Sequence, residues 1–199
     1  MKIIQPSVEL VDFIDTDEVM KKLELCGKVS RQSKLGNPEA FVRNIIKRGH
    51  ESVLEHVSLT FHIICDRAIQ NELVRHRHAS FTVESTRYVK YDDLEVIAPD
   101  FGDSNGAERA FTTIMQTVQD EHYGFFAHLC KIPPEQARAV LPLCLKSELY
   151  MTANLREWRH ILKLRTDPAA HPQMRFIAGK ILDIIREKLP VIVEDIQND

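Results

Sequence analysis

Arg75-His76-Arg77-His78-Ala79-Ser80-Phe81-Thr82-Val83-Glu84-Ser85-Thr86-Arg87-Tyr88 gathers three guanidiniums, two imidazoles and five hydroxyls in a chain whose formal net charge is −3. A guanidinium is a rigid fork of donors matched to phosphate and carboxylate, and hydroxyls fill the acceptor positions that remain. Arg-His-Arg alone would read as a solvated basic face. Here Ser80, Ser85, Thr86 and Arg87 follow in a stretch without Gly or Pro, so the donors can converge, and the expected ligand is an anion carrying phosphate.

Other chemistries fit the same residues less well. Ser85 could be a nucleophile with a histidine base, but its neighbours Glu84 and Arg87 make it a ligand donor first. His50, His56, His76 and His78 suggest a metal, yet His76 and His78 lie between arginines and no HExxH occurs, so no metal site is expected. With seven glycines there is neither a GxGxxG nor a Walker pattern, and a nucleotide must be held by side chains.

The elements that position this run read as follows. Ile3 to Ile14 is β-prone and interrupted by Pro6, and Asp15 caps a helix through about Cys26 bearing Val19, Met20, Leu23 and Leu25. Asn37-Pro38 opens a second helix with Phe41, Val42, Ile45 and Ile46 on its stripe, ending at Gly49. Val57–Cys65 alternates as a strand, and Ala68 to Val74 has a helical period that brings Glu72, Arg75 and His76 to its end. Residues 81 to 91 look extended. Pro99 to Gly106 is the one candidate linker, and a helix spans about Ala107 to Leu129 with Phe111, Ile114, Met115, Val118, His122, Phe125 and Phe126 on one side. Pro133-Pro134 starts a helix carrying Arg138, Tyr150–Asn154 is a short strand, and Leu155 to Leu164 is a helix with Arg156 and His160 on one face. Thr166-Asp167-Pro168 begins the last helix, to about Leu189, leaving Arg165 at the junction.

At 199 residues, 44% hydrophobic and 28% charged, the chain fits one continuous α/β domain of α+β type, with no repeat. The slight acidity and a pI near 6.3 argue against a dedicated nucleic-acid binder. Cys26, Cys65, Cys130 and Cys144 are scattered without CxxC spacing, as for reduced thiols of the cytoplasm, and Cys144 among apolar neighbours reads as a core residue. Neither a signal peptide nor a membrane span is expected.

Arg75-His76-Arg77, seven residues and then Ser85 resembles the RHR-x7-S signature of the flavin-dependent thymidylate synthases, the ThyX family. Gly49-His50-Glu51-Ser52-Val53-Leu54-Glu55-His56 resembles the family's upstream GHxS/TxxEH segment, and Val29-Ser30 its early serine contact. Ala137-Arg138-Ala139-Val140-Leu141-Pro142 is similar to its AR-x-x-LP helix, and Asn154-Leu155-Arg156 with Leu164-Arg165 to its N-x-R and LR elements.

The resemblance implies a homotetramer in which a central, mostly antiparallel sheet flanked by helices builds composite sites. It implies conversion of dUMP to dTMP with methylenetetrahydrofolate as carbon donor, FAD as hydride carrier and NADPH as reductant, with neither nucleic acid nor membrane as partner. Carried over by motif, Ser52, Arg75, His76, Arg77, Val83, Asn154, Arg156 and His160 would contact FAD. Glu72, Arg75, Glu84, Ser85, Thr86, Arg87 and Arg138 would hold dUMP, and Arg165 would face its pyrimidine as the catalytic group. The chain departs from many members in Thr82-Val83, where they carry Asn-Glu, in Glu72, often Gln, and in His160, Asn in some. Another FAD or nucleotide oxidoreductase on the same scaffold, and a non-catalytic nucleotide- or RNA-binding module, are the rival readings.

Overall fold

The computed structural model describes residues 1–197. In chain order it contains β1 (Lys2–Ile4), β2 (Ser7–Leu10), α1 (Thr16–Lys28), α2 (Pro38–Lys47), β3 (Ser58–Asp66), α3 (Arg67–Leu73), β4 (Ala79–Val83), β5 (Glu95–Ile97) and α4 (Asn105–Thr117). There follow α5 (Pro134–Ala137), β6 (Lys146–Asn154), α6 (Leu155–Arg165), α7 (Pro172–Lys188) and α8 (Pro190–Val193). The architecture is mixed α/β. A four-stranded antiparallel sheet runs in the order β2-β3-β6-β4, and β1 and β5 form a separate parallel pair. The expected strand from Ile3 to Ile14 is thus two short strands in different sheets, because Pro6 cannot donate to a ladder.

Contacts divide the chain into two compact units. The first comprises Met1–Ser7, Ile64–Arg75 and Thr82–Leu149; the second comprises Val8–Ile63, His76–Phe81 and the chain from Tyr150 onward. Pro99 to Gly106 lies wholly inside the first, so this turn-rich segment is a surface loop that runs into the first turn of α4 and not a linker.

The first unit packs around Tyr91, Leu94, Val96, Met115, Tyr123, Ala137 and Leu145. After α4 the helix continues with wider, π-type winding over Val118–Tyr123 and Phe125–Leu129. The inward positions therefore recur every fourth residue at Met115, Gln119, Tyr123 and Ala127, while Ile114, His122, Phe125 and Phe126 turn outward, contrary to the 3.6-residue expectation. Tyr123 Oη accepts from the Tyr91 amide at 3.0 Å and Gln119 Oε1 from the Leu94 amide at 3.1 Å.

The second unit surrounds Trp158, which packs edge-on against Phe61 with ring centroids 5.0 Å apart and donates to the Leu59 carbonyl at 3.0 Å. α1, α2, α6, α7 and α8 contribute Met20, Leu23, Val42, Ile45, Ile161, Met174, Ile177, Ile181 and Ile192 to its interior, whereas Leu25 is exposed. Asp15 and Asn37 cap α1 and α2 as their sequence positions predict. α2 closes with Gly49 at φ +70°, its amide on the Ile46 carbonyl and that of His50 on the Ile45 carbonyl. That closure delivers the chain into a 3-10 helix, Glu51–His56.

The last long helix starts later than Thr166. Thr166 instead terminates α6, Asp167 Oδ1 accepts from the Ala169 amide, and His171 followed by Pro172 supplies the cap-then-proline entry. No helix of the described residues is long and apolar enough to cross a membrane.

Candidate active site

The Arg75–Tyr88 run leaves the end of α3, passes through β4 and turns. Arg75 closes α3, its amide donating to the Glu72 carbonyl at 3.2 Å, and Glu72 is half-buried. The extended conformation stops at Val83 rather than continuing to Tyr91. Ser85 Oγ accepts from the Arg87 amide at 3.3 Å, and the Ser85 carbonyl accepts from the amides of Tyr88 and Val89. A serine closing its own turn in this way is a local alternative to a strand ladder.

Within the first unit this turn collects one set of the expected residues. Thr86 is buried and its hydroxyl accepts from Arg138 Nη1 at 3.3 Å; Arg138 Nε donates to the Glu135 carbonyl. The exposed Arg87 pairs with Glu135 at 3.2 Å. Ser85, Thr86, Arg87 and Arg138 thus form a group of two guanidiniums and two hydroxyls. Glu84 faces other partners: its carboxylate accepts from Lys146 Nζ at 2.7 Å and from the Tyr91 hydroxyl at 3.0 Å. Burial, the Glu84 charge and this bond all push the Tyr91 phenol upward.

The second unit holds another set. A cleft of about 600 Å³ is lined by Glu51, Glu55, His78, Asn154, Arg156, Glu157, Arg159, His160 and Lys163. Asn154 Oδ1 caps α6 by accepting from the Glu157 amide at 2.9 Å, and Arg156 pairs with Glu55 at 2.6 Å. Ser52 lies exposed on the 3-10 helix and Arg77 is exposed. Ser30 donates to the Gly27 carbonyl at 3.3 Å. His76 is buried, its Nε2 accepts from Arg165 Nε at 3.1 Å, and its ring stands edge-on to His160 at 6.3 Å between centroids. Burial first, then the Arg165 charge and His160, push the His76 imidazole down to about 4.

The boundary between the units falls inside the motif, after Arg75 and after Phe81. Arg75, Glu72, Val83 and the Ser85–Arg138 group belong to the first unit. His76, Arg77, Ser52, Asn154, Arg156, His160 and Arg165 belong to the second.

The sequence matches the family model described as "Thymidylate synthase complementing protein", Thy1, over residues 9–191. The chain belongs to the flavin-dependent thymidylate synthase family. It is 35% identical to a probable flavin-dependent thymidylate synthase of Mycobacterium phage D29, with 98% of this chain and 92% of the relative covered. A protein of the same description from Mycobacterium phage L5 is 37% identical over 79% of this chain and 70% of its own. A flavin-dependent thymidylate synthase of Geobacter sulfurreducens is 35% identical over 78% and 68%. Among solved structures, the UMP/dUMP methylase PolB from Streptomyces cacaoi bound with 5-Br UMP superposes with a TM-score of 0.79 at 25% identity, covering 98% of this chain and 95% of that one.

Against the ThyX-family pattern, three polar residues stand out that the motif reading assigns no role. Arg159 is 1% exposed and holds Glu51 at 3.0 Å, Asp195 at 2.6 Å and the Ile192 carbonyl. The first of these partners sits in the upstream family segment that carries Ser52. Lys146 neutralises Glu84, and Glu157 faces His76 Nδ1 at 3.8 Å. A signal for Arg159 exists in the sequence: it falls on the apolar stripe of α6 with Leu155, Trp158 and Leu162, where a cation requires paired partners.

Proposed function

We propose that the chain catalyses reductive methylation of dUMP to dTMP, with methylenetetrahydrofolate as carbon donor, FAD as bound cofactor and NADPH as reductant. The chain, residues 1–199, serves as a single catalytic domain of a cytoplasmic homotetramer. The observation that carries this reading is the family match over residues 9–191, nearly the whole chain. The polar groups support it. Arg138, Arg87 and the hydroxyls of Ser85 and Thr86 are donors of the kind a nucleotide monophosphate takes, and a phosphate would compete with Glu135 for Arg87.

The cleft of the second unit offers a flavin dinucleotide cations and N–H groups from Arg156, Lys163, His160 and the Asn154 amide, while its carboxylates already have partners, Glu51 in Arg159, Glu55 in Arg156 and Glu157 facing His76. When bound, FAD supplies the reducing equivalents for the methyl group. Arg156 would orient the diphosphate, relinquishing part of its bond to Glu55. Arg165, kept cationic, would stabilise the electron-rich pyrimidine and so raise its carbon nucleophilicity without a covalent adduct. Two of the four thiols support a cysteine-free route. Burial and the Asp66 charge push Cys65 up to about 12, and burial pushes Cys144 up to about 11, so neither is a thiolate at neutral pH.

The test is direct. Purified protein is expected to carry or take up FAD and to form dTMP from dUMP, the folate and NADPH; a colourless protein that binds no FAD and forms no dTMP overturns the reading. Arg165→Ala is expected to lower kcat by about 100-fold while bound flavin is retained. Equal loss of flavin and rate would remove Arg165 from the pyrimidine. Similarity to the UMP/dUMP methylase supports a second reading, UMP as an alternative acceptor, and competition of UMP against dUMP in the same assay decides it.

A further inference from the structure

His76 stands between Arg75 and Arg77, both exposed, yet its own ring is 6% exposed. Three residues of one face of α6 meet it. Arg165 Nε is 3.1 Å from Nε2, Glu157 Oε1 is 3.8 Å from Nδ1, and His160 presents its ring edge-on. An arginine in a protein keeps its proton, so Arg165 is the donor and His76 Nε2 must offer a lone pair. The ring proton then sits on Nδ1, the nitrogen turned toward the Glu157 carboxylate. A second proton on the ring would oppose two N–H donors across the same 3.1 Å contact.

A guanidinium is planar, so fixing its Nε constrains the orientation of the whole group. We infer that His76 is a positioning residue for Arg165, holding the guanidinium plane through a neutral imidazole protonated on Nδ1. One residue of the Arg-His-Arg signature thereby couples the proposed flavin-binding run to the group proposed for the pyrimidine. Among the described residues, Arg165, His160 and Glu157, on α6, are charged or titratable groups that face the ring. Burial, with the first two groups, opposes protonation, so the arrangement persists into mild acid. The consequence for turnover rests on the proposed function; the bond and the tautomer do not.

Two substitutions separate positioning from simple contact. Gln places an amide oxygen near the site of Nε2, whereas Asn ends about one bond short of it. At equal bound flavin, His76→Asn is expected to lower kcat about 10- to 100-fold with a smaller change in KM for dUMP, and His76→Gln to keep at least about ten-fold more kcat than His76→Asn. In an Arg165→Ala background, His76→Asn should add little further loss, as coupled residues do. Independently of activity, nitrogen NMR of the imidazole should show protonated Nδ1 and bare Nε2 from about pH 8 to about pH 5, and Arg165→Leu should raise the His76 pKa. A ring that is charged, or protonated on Nε2, at neutral pH overturns the inference, as do equal kcat values for the Gln and Asn variants. If the tautomer is found but dUMP is not methylated, the positioning stands and the proposed reaction falls.

Discussion

A carboxylate beside a hydroxyl proposed to bind phosphate would repel the ligand unless a cation offsets it, and Glu84, next to Ser85, has Lys146, which it shares with Glu148. Its partners are Lys146 at 2.7 Å and Tyr91 at 3.0 Å, with the side chains of Glu84 and Lys146 only 17% and 15% exposed. The Glu84 amide also donates to the Glu148 carbonyl at 2.8 Å, which sets where the Ser85 turn begins. Removing the cation leaves a poorly solvated carboxylate, so Lys146→Met is expected to destabilise the protein by about 2–4 kcal/mol in urea unfolding. Glu84→Gln added to that variant should recover much of the loss; a single-variant change below about 0.5 kcal/mol would mean water already solvates Glu84. The charge of Glu84 was legible in the sequence, and so was the departure of the preceding Thr82-Val83 from the family pattern. The partner of Glu84 was not, because Lys146 lies 62 positions away and the pairing depends on strand geometry. Cys144 was legible from its apolar neighbours: its thiol meets Met115 Sδ at 3.3 Å.

Elements were readable where local chemistry alone fixes them. Asp15 and Asn37 cap α1 and α2, and β3 buries Leu59, Phe61, Ile63 and Cys65 alternately. They were unreadable where two local signals competed. Thr166-Asp167-Pro168 and His171-Pro172 are both plausible helix entries, and the Asp167 side chain is taken by a turn. The 3-10 helix Glu51–His56 depends on a nonlocal clamp: the buried Arg159 binds Glu51 on that helix together with Asp195 and the Ile192 carbonyl beyond α7. Arg159→Met would leave Glu51 without its cation and Asp195 with Lys163 at 3.2 Å, and a loss of about 2–3 kcal/mol is expected. Hydrogen exchange should report the same clamp, with amides of residues 51–56 losing protection more than those of α2, whose C-terminal closure at Gly49 is independent. Uniform loss of protection across both would show that Arg159 serves the unit as a whole.

For the whole molecule, the sequence announced the α/β class and named some residues of each polar group, but it announced neither Arg159 and Glu157 of the cleft nor that contacts divide the chain after Arg75 and after Phe81, within its most conspicuous motif. Spacing along a chain does not encode such partition; packing does. Two groups of the second unit also set how stability responds to acid. His76 has a folded pKa of about 4, below its ordinary value of about 6.5, so the folded state resists a proton that the unfolded chain accepts. Stability from this source is complete above about pH 6.5, falls as pH drops toward 4, and amounts to a loss on the order of 3 kcal/mol by then. Asp195, hydrogen-bonded to Arg159, is held down at about 2. Its contribution is complete above about pH 4 and is lost as pH falls through 2. Urea midpoints measured from pH 8 to pH 3 should therefore begin to fall below about pH 6.5, before the carboxylates titrate. His76→Gln, which removes the titrating ring, should flatten the decline between about pH 6.5 and pH 4 and leave the lower one; Asp195→Asn should spare the upper decline and reduce the lower. An upper decline of undiminished size in His76→Gln would assign it to another group and return His76 to an ordinary imidazole.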